Sequence, residues 1–291
     1  GKVPNSIDFD DDPMRAYNVL PNAISIQSNT INFKFKPQNN NVKIEAKPDL
    51  KYLKIKNNLR LSQKNCVSWK QALDYQKANS IQEEMIIFQG HLSKKCSNKE
   101  IDLSVIDNGR YFYEVFKYLW VQNGGNFSGG YWVNNNERLE GKLIASHLSR
   151  PLGVLIRDMN KYSLNLMARN LMLTVIAEDL KKQVTEDDVN HFVLDWLGNQ
   201  GIANDNIFVE NGAGLSRKTY INADTLLEIM DKIYEHPYMP EMLSSLSVLN
   251  EDGTLEKKMP FSKVKKNGHF KTGSLKNVSA IAGYFVDKDK N

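Results

Sequence analysis

Cysteine is scarce in this 291-residue chain: there are two, Cys66 and Cys96, and no C-x-x-C pair. None of the five histidines stands at ligand spacing from another or from a carboxylate, and H-E-x-x-H is missing. No zinc site is therefore expected, and no metal or cofactor. By number alone, two cysteines fit one disulfide in an oxidising compartment or two buried thiols in the cytosol equally well. Long apolar runs are missing as well. No stretch of about 18 apolar residues occurs, so no membrane span is expected. No basic start leads into an apolar segment, so no signal peptide is read in this stretch; mature chains lose such signals, so this does not argue for the cytosol.

Charge of one sign is barely in excess. Lys and Arg number 38 against 34 Asp and Glu, a net +4. The lysines are scattered among asparagines, as in KIKNNLRLSQKN and PQNNNVK, without a dense block interleaved with aromatics. That pattern describes a solvated surface, and nucleic-acid binding is not expected. A basic face also suits a polyanionic polymer, but charge does not choose one. No internal repeat is visible.

What is present suits an ordinary globular protein with a sizeable core: 41% of residues are hydrophobic and 10% aromatic. Residues 1–136 read as β-rich. AISIQSNTINFKFKP predicts a hairpin, with runs Ala23–Ile26 and Ile31–Phe35 around Ser28-Asn29-Thr30. NVKIEAKP, LKYLKIKNNLRLS and EEMIIFQGHL add alternating strands. In DNGRYFYEVFKYLWVQNGG the period changes: Phe112, Val115, Phe116, Leu119 and Trp120 mark a helix face closed by Gly124-Gly125. FSGGYWV returns to strand. From about residue 145 the chain turns helical. SRPLGVLIRDMNKYSLNLMARNLMLTVIAEDL predicts a long helical region capped at Ser149 with Pro151 in its first turn. Thr185 caps another helix, and NADTLLEIMDKIYEH is a third. HFKTGSLKNVSAIAGYFV closes the chain as a β-hairpin carrying Lys271-Thr272-Gly273 on its first strand. The order implies an α+β or α/β class with an inserted β-rich module, divided at the asparagine cluster 134–136.

Three segments hold candidate chemistry. Ser163 and Asn165 lie two apart in an otherwise apolar helical region. Residues two apart do not share a helix face, so both reach one cleft only where a helix breaks or begins. Gly212 and Gly214 precede Leu215-Ser216-Arg217, a pattern that a tight turn before a helix explains equally well. The third is Lys271-Thr272-Gly273, which alone could be coincidence. Their order is less easily dismissed. S-x-x-K, then S-x-N, then K-T-G is the signature of penicillin-recognising serine enzymes, and Ser163-Leu164-Asn165 and Lys271-Thr272-Gly273 fill its second and third places. The surrounding SHLSRPLGVLIRDMNKYSLNLMARNL, NGAGLSR, NEDGTLEKKM and FKTGSLKNVSAIAGYF closely resemble the class C penicillin-binding proteins, the D-alanyl-D-alanine carboxypeptidases/endopeptidases of the penicillin-binding protein 4 type. The resemblance covers residues 140–290 at least, and extends more faintly upstream.

That resemblance implies an α+β fold: an incomplete penicillin-recognising serine transpeptidase-like domain over 137–291, with inserted β-rich accessory modules over 1–136. It implies a periplasmic serine-type D-Ala-D-Ala carboxypeptidase/endopeptidase acting through an acyl-serine, with peptidoglycan stem peptides and β-lactams as its ligands. By resemblance, Lys271 and Thr272 hold the substrate carboxylate, and Gly273 lets the peptide lie along the strand. The backbone N–H of Ser274 is an oxyanion donor, Ser163 relays a proton to the leaving nitrogen, and Asn165 bonds a substrate amide. A periplasmic enzyme also implies a Cys66–Cys96 disulfide. The chain departs from the pattern in two places. The family's nucleophile and base sit in an S-x-x-K upstream of the inserted modules; the one literal match, Ser262-Lys263-Val264-Lys265, stands in the wrong order and is read as coincidence. The chain is therefore expected to be a piece that binds substrate without turning it over. Asn211 and Ala213 stand where the family has aspartate and serine, and the roles of Ser216 and Arg217 stay open. The competing readings are a non-catalytic peptidoglycan-recognition or scaffold protein, and a generic α+β protein in which the motifs are accidental.

Overall fold

The computed structural model describes residues 10, 12–79, 83–133, 142–202, 205–258 and 267–285. The class is α+β. The chain divides into two compact units, Asn5–Glu140 and Gly141–Asn291 with Gly1–Pro4. The expected boundary at 136/137 and the Ser262–Lys265 match lie outside the described residues.

In the first unit, β1 (Ile31–Gln38) lies between β2 (Asn41–Lys47) and β6 (Lys99–Leu103), antiparallel to both. A second sheet orders β3 (Leu53–Ser62), β5 (Glu84–Ser93) and β4 (Leu73–Asn79), with β3 and β5 parallel. Alternation along β1 buries Ile31, Phe33 and Phe35, and the rings of Phe33 and Phe35 meet Phe88 of β5 edge-on at 5.0 and 5.2 Å. Cys66 and Cys96 form a disulfide. Helix α1 (Asn108–Gln122) is capped by the Asp107 carboxylate, which accepts from the Arg110 N–H at 3.0 Å.

Three sequence expectations for this unit are corrected. Ala23–Ile26 forms no strand. Gln27, Ser28 and Asn29 all take positive φ in a short 3-10 turn, and Asn29 is buried, donating to Ser104 Oγ and Ile106 O. The hairpin partner of β1 is the following run, β2, reached through the two-residue turn Asn39-Asn40, with Asn39 at φ +52°. FSGGYWV forms no strand either. Its Phe127 and Tyr131 rings pack on Tyr113 of α1, whose hydroxyl donates to Gly129 O. The buried side of α1 is Tyr111, Glu114 and Val115, while Phe112, Phe116, Leu119 and Trp120 are exposed.

The second unit begins with α2 (Leu152–Tyr162) and α3 (Asn165–Leu180), so the expected long helical region is broken at Ser163-Leu164. Pro151, not Ser149, occupies the cap position of α2; the Ser149 hydroxyl donates to its neighbour Arg150 O. Helix α4 (Val189–Asn199) follows a capping box of Thr185 and Asp188, and α5 (Ala223–Tyr234) is capped by Asn222. The short pair β7 (Ile207–Phe208) and β8 (Tyr220–Ile221) flanks a loop carrying NGAGLSR. Helix α6 (Met239–Ser245) leads into an antiparallel sheet ordered β9 (Ser247–Val248), β10 (Gly268–Leu275), β11 (Val278–Phe285). Leu197, Ile202 and Ile207 are buried together against Val193, Leu194, Val209 and Ile229.

Candidate active site

The break between α2 and α3 is made by backbone geometry. Ser163 ends α2 in the left-handed conformation, φ +55° and ψ +52°, and Leu164 is extended, so α3 starts afresh at Asn165. A non-glycine residue in that conformation costs roughly 1–2 kcal/mol, which the two helices packed on either side must offset. The break removes the obstacle that a continuous helix would pose: Ser163 and Asn165, two residues apart, line one cavity of about 570 Å³. Lys271, Thr272, Gly273 and Ser274 line the same cavity from β10.

The two motifs touch. Lys271 Nζ donates to Ser163 Oγ at 2.9 Å and to the Thr272 carbonyl at 2.9 Å. An ammonium carries three N–H donors, so one is left to face the cavity. Burial lowers the Lys271 pKa below the usual lysine value. Asn165 is half-buried and its side chain makes no hydrogen bond among the described residues.

Strand β10 offers a backbone edge as well. Strand β9 pairs with it only at His269 and Phe270. The Leu249 N–H donates to Gly268 O at 3.0 Å, so the backbone groups of Gly268 point away from β11. Residues two apart on a strand aim their N–H and C=O the same way, which puts those of Thr272 and Ser274 on the β9 side. Beyond Phe270 that side has no strand partner among the described residues. A Cβ placed at Gly273 would meet only the Ala280 Cβ, at 3.8 Å, so packing does not demand glycine there.

The NGAGLSR loop forms another wall through Ala213, Gly214 and Leu215. Gly212 is needed for close approach: a Cβ there would lie 2.6 Å from Met172 Cβ and 2.8 Å from Ala168 O on α3. Asn211 is buried, donating to Leu215 O and accepting from the Ala213 N–H, so it shapes the turn. The Ser216 hydroxyl accepts from the N–H groups of Lys218 and Thr219 at 2.9 Å each. Arg217 Nη1 donates to Lys276 O at 2.8 Å, tying the loop to the β10–β11 turn.

Sequence reasoning missed Thr254, whose hydroxyl lies 3.2 Å from that of Thr272. Its signal was the Asp252-Gly253 turn inside NEDGTLEKKM. Among the described residues no group of three His, Cys, Asp or Glu could hold a metal ion, and no helix is long and apolar enough to cross a membrane.

The family model for D-Ala-D-Ala carboxypeptidase 3 (S13) matches residues 5–291. The chain is 27% identical over 201 residues to the D-alanyl-D-alanine carboxypeptidase DacB of Haemophilus influenzae, covering 68% of this chain and 42% of that protein. It is 27% identical over 150 residues to a D-alanyl-D-alanine carboxypeptidase of an Actinomadura species, covering 50% and 28%. It thus spans less than half the length of these curated relatives. The crystal structure of penicillin-binding protein 4 from Haemophilus influenzae superimposes with a TM-score of 0.82 at 21% identity, over 99% of this chain and 64% of that one. A second structure of that protein, complexed with a β-lactam, gives 0.75 at 22% identity, over 94% and 62%. These likenesses establish a shared fold.

Proposed function

Because the chain belongs to the D-Ala-D-Ala carboxypeptidase 3 (S13) family, we propose that it is part of a periplasmic serine-type D-Ala-D-Ala carboxypeptidase/endopeptidase. On this reading the cavity between Ser163 and β10 receives peptidoglycan stem peptides and β-lactams. The observation that carries it is the 2.9 Å contact between the Lys271 ammonium and the Ser163 hydroxyl.

The substrate peptide lies along the open side of β10 as an added strand. Its terminal carboxylate takes the remaining Lys271 N–H and the Thr272 hydroxyl, an ionic and a neutral donor on a rigid element. The carbonyl oxygen of the scissile bond accepts from the Ser274 N–H, where negative charge develops as a serine oxygen attacks. The new ester bond forms as the C–N bond breaks. The proton lost by the attacking serine passes to its base and is relayed through Ser163 Oγ to the departing nitrogen: Ser163, which accepts from Lys271, gives its own proton and regains one from that base. Asn165 donates to a substrate amide carbonyl. Water then hydrolyses the acyl-serine. The attacking serine and its base belong to the family's S-x-x-K motif, and no described residue of this chain is assigned to them.

The test uses the intact protein and a peptide ending in D-Ala-D-Ala. Lys271→Ala is expected to lower kcat/KM by about 100-fold, or ~2.7 kcal/mol in the transition state. Turnover unchanged by that substitution overturns the reading.

A further inference from the structure

Thr272 has one proton, and the proposed function requires it to point at the substrate carboxylate. A hydroxyl that donates to the substrate can only accept from its protein neighbour. That neighbour is Thr254, with Oγ1 to Oγ1 at 3.2 Å. What lies behind Thr254 leaves it free to donate. Ser247 Oγ donates to Lys161 O at 3.3 Å, which uses its only proton, and it accepts from the Thr254 N–H at 3.3 Å. Ser247 therefore has no proton to give Thr254, although the two hydroxyl oxygens stand 3.5 Å apart. Thr254 therefore keeps a proton of its own to give, and Thr272 is the nearer of its two acceptors; once the Thr272 proton goes to the substrate, the bond between the two runs from Thr254 to Thr272.

The turn that carries Thr254 is tightly held. Gly253 has φ +58°, and a Cβ there would stand 2.4 Å from Ser247 Oγ and 2.6 Å from Lys161 O. Lys161 Nζ donates to Leu246 O at 3.0 Å and pairs with the Asp252 carboxylate, which also accepts from the Val248 N–H at 2.8 Å. A hydroxyl mounted on such a braced turn keeps its geometry without reorganising when substrate arrives.

We propose that Thr254 is a positioning residue, donating a hydrogen bond to Thr272 so that the Thr272 proton is directed onto the carboxylate of the substrate. This inference rests on the function proposed above and assigns Thr254 no contact with substrate. In the intact protein Thr254→Val keeps the branched shape and removes the donor. For a D-Ala-D-Ala peptide with a free carboxylate, KM is expected to rise about tenfold while kcat stays within about twofold, the size of one lost neutral hydrogen bond. Thr254→Ser, which restores the hydroxyl, is expected to return KM to the parent value. A KM unchanged in Thr254→Val, a loss confined to kcat, or a KM that Thr254→Ser fails to restore overturns the proposal. Should Thr254→Val fail to fold, Thr254→Ala is measured against Thr254→Ser by the same criteria. Lys271→Ala in the same assay separates the two levels. If it abolishes turnover while Thr254→Val does nothing, this inference alone falls; if neither matters, the functional reading falls with it.

Discussion

At the residue scale the proposed chemistry turns on Lys271, which is half-buried and, on that reading, needed as a cation. Burial opposes the charged form and lowers its pKa. The proposed carboxylate clamp works only while the ammonium is protonated. KM for a free-carboxylate peptide is therefore expected to be low near neutral pH and to climb as pH rises through that lowered pKa, below the alkaline range of an exposed lysine at about 10.4. A pH profile of KM from about pH 7 to about pH 11 checks this. A KM that stays flat until the pH of an ordinary lysine contradicts it. Lys271 and Ser163 were legible in the sequence because their motif is defined by residue type and order. Thr254 was not: the Asp252-Gly253 turn in NEDGTLEKKM marks where it sits, but its relevance is a contact between hydroxyls on separate elements.

At the scale of elements, the site depends on two interruptions. One is the left-handed Ser163, which splits an apolar helical stretch into α2 and α3. The sequence showed that a break was required if Ser163 and Asn165 were to share a cleft, yet periodicity alone drew one long helical region through them. Nothing in Ser163-Leu164 is a glycine or proline, so the break had no local marker. The other interruption is the NGAGLSR loop, which runs against α3 at Gly212. Gly212→Ala is expected to destabilise the protein by about 1–3 kcal/mol, because the new methyl overlaps Met172 and a backbone carbonyl. Urea denaturation measures it, and a variant as stable as the parent would show that α3 yields easily. The misplaced first hairpin has a similar origin. Ala23–Ile26 alternates over too few residues to distinguish a strand from a bend, whereas Asn39-Asn40 closes the real hairpin with a turn that tolerates positive φ.

For the whole molecule, the two cysteines tell how the first unit is held. The Cys66–Cys96 bond closes a loop with a sequence separation of 30. Loop-closure entropy for that length gives a stabilisation of roughly 3–4 kcal/mol. Replacing both cysteines by serine is expected to lower the unfolding free energy by about that amount, read from denaturant titrations with and without a reductant. Equal stability of the two proteins, reduced or not, would show that the bond constrains little. This pairing entered as an implication of family resemblance, since the cysteine count left disulfide and free thiols balanced. The family match over residues 5–291 places both units within one known architecture, although the chain spans less than half of the curated relatives.

By itself the order of elements narrowed the class to α+β or α/β, and the sequence determined most of the strands and helices and the residues of two motifs in their order. Hydrophobic period, turn residues and motif chemistry are local properties, and a linear chain displays them. Only the tertiary structure decided that Ser163 and Lys271, 108 residues apart, meet at 2.9 Å. It also decided that β10 has no strand partner on its β9 side beyond Phe270 among the described residues, and that Thr254 stands behind Thr272. Those facts depend on strand register and on where side chains from separate elements meet. Distances of that kind are set by packing among distant segments, and no pattern along the chain encodes them.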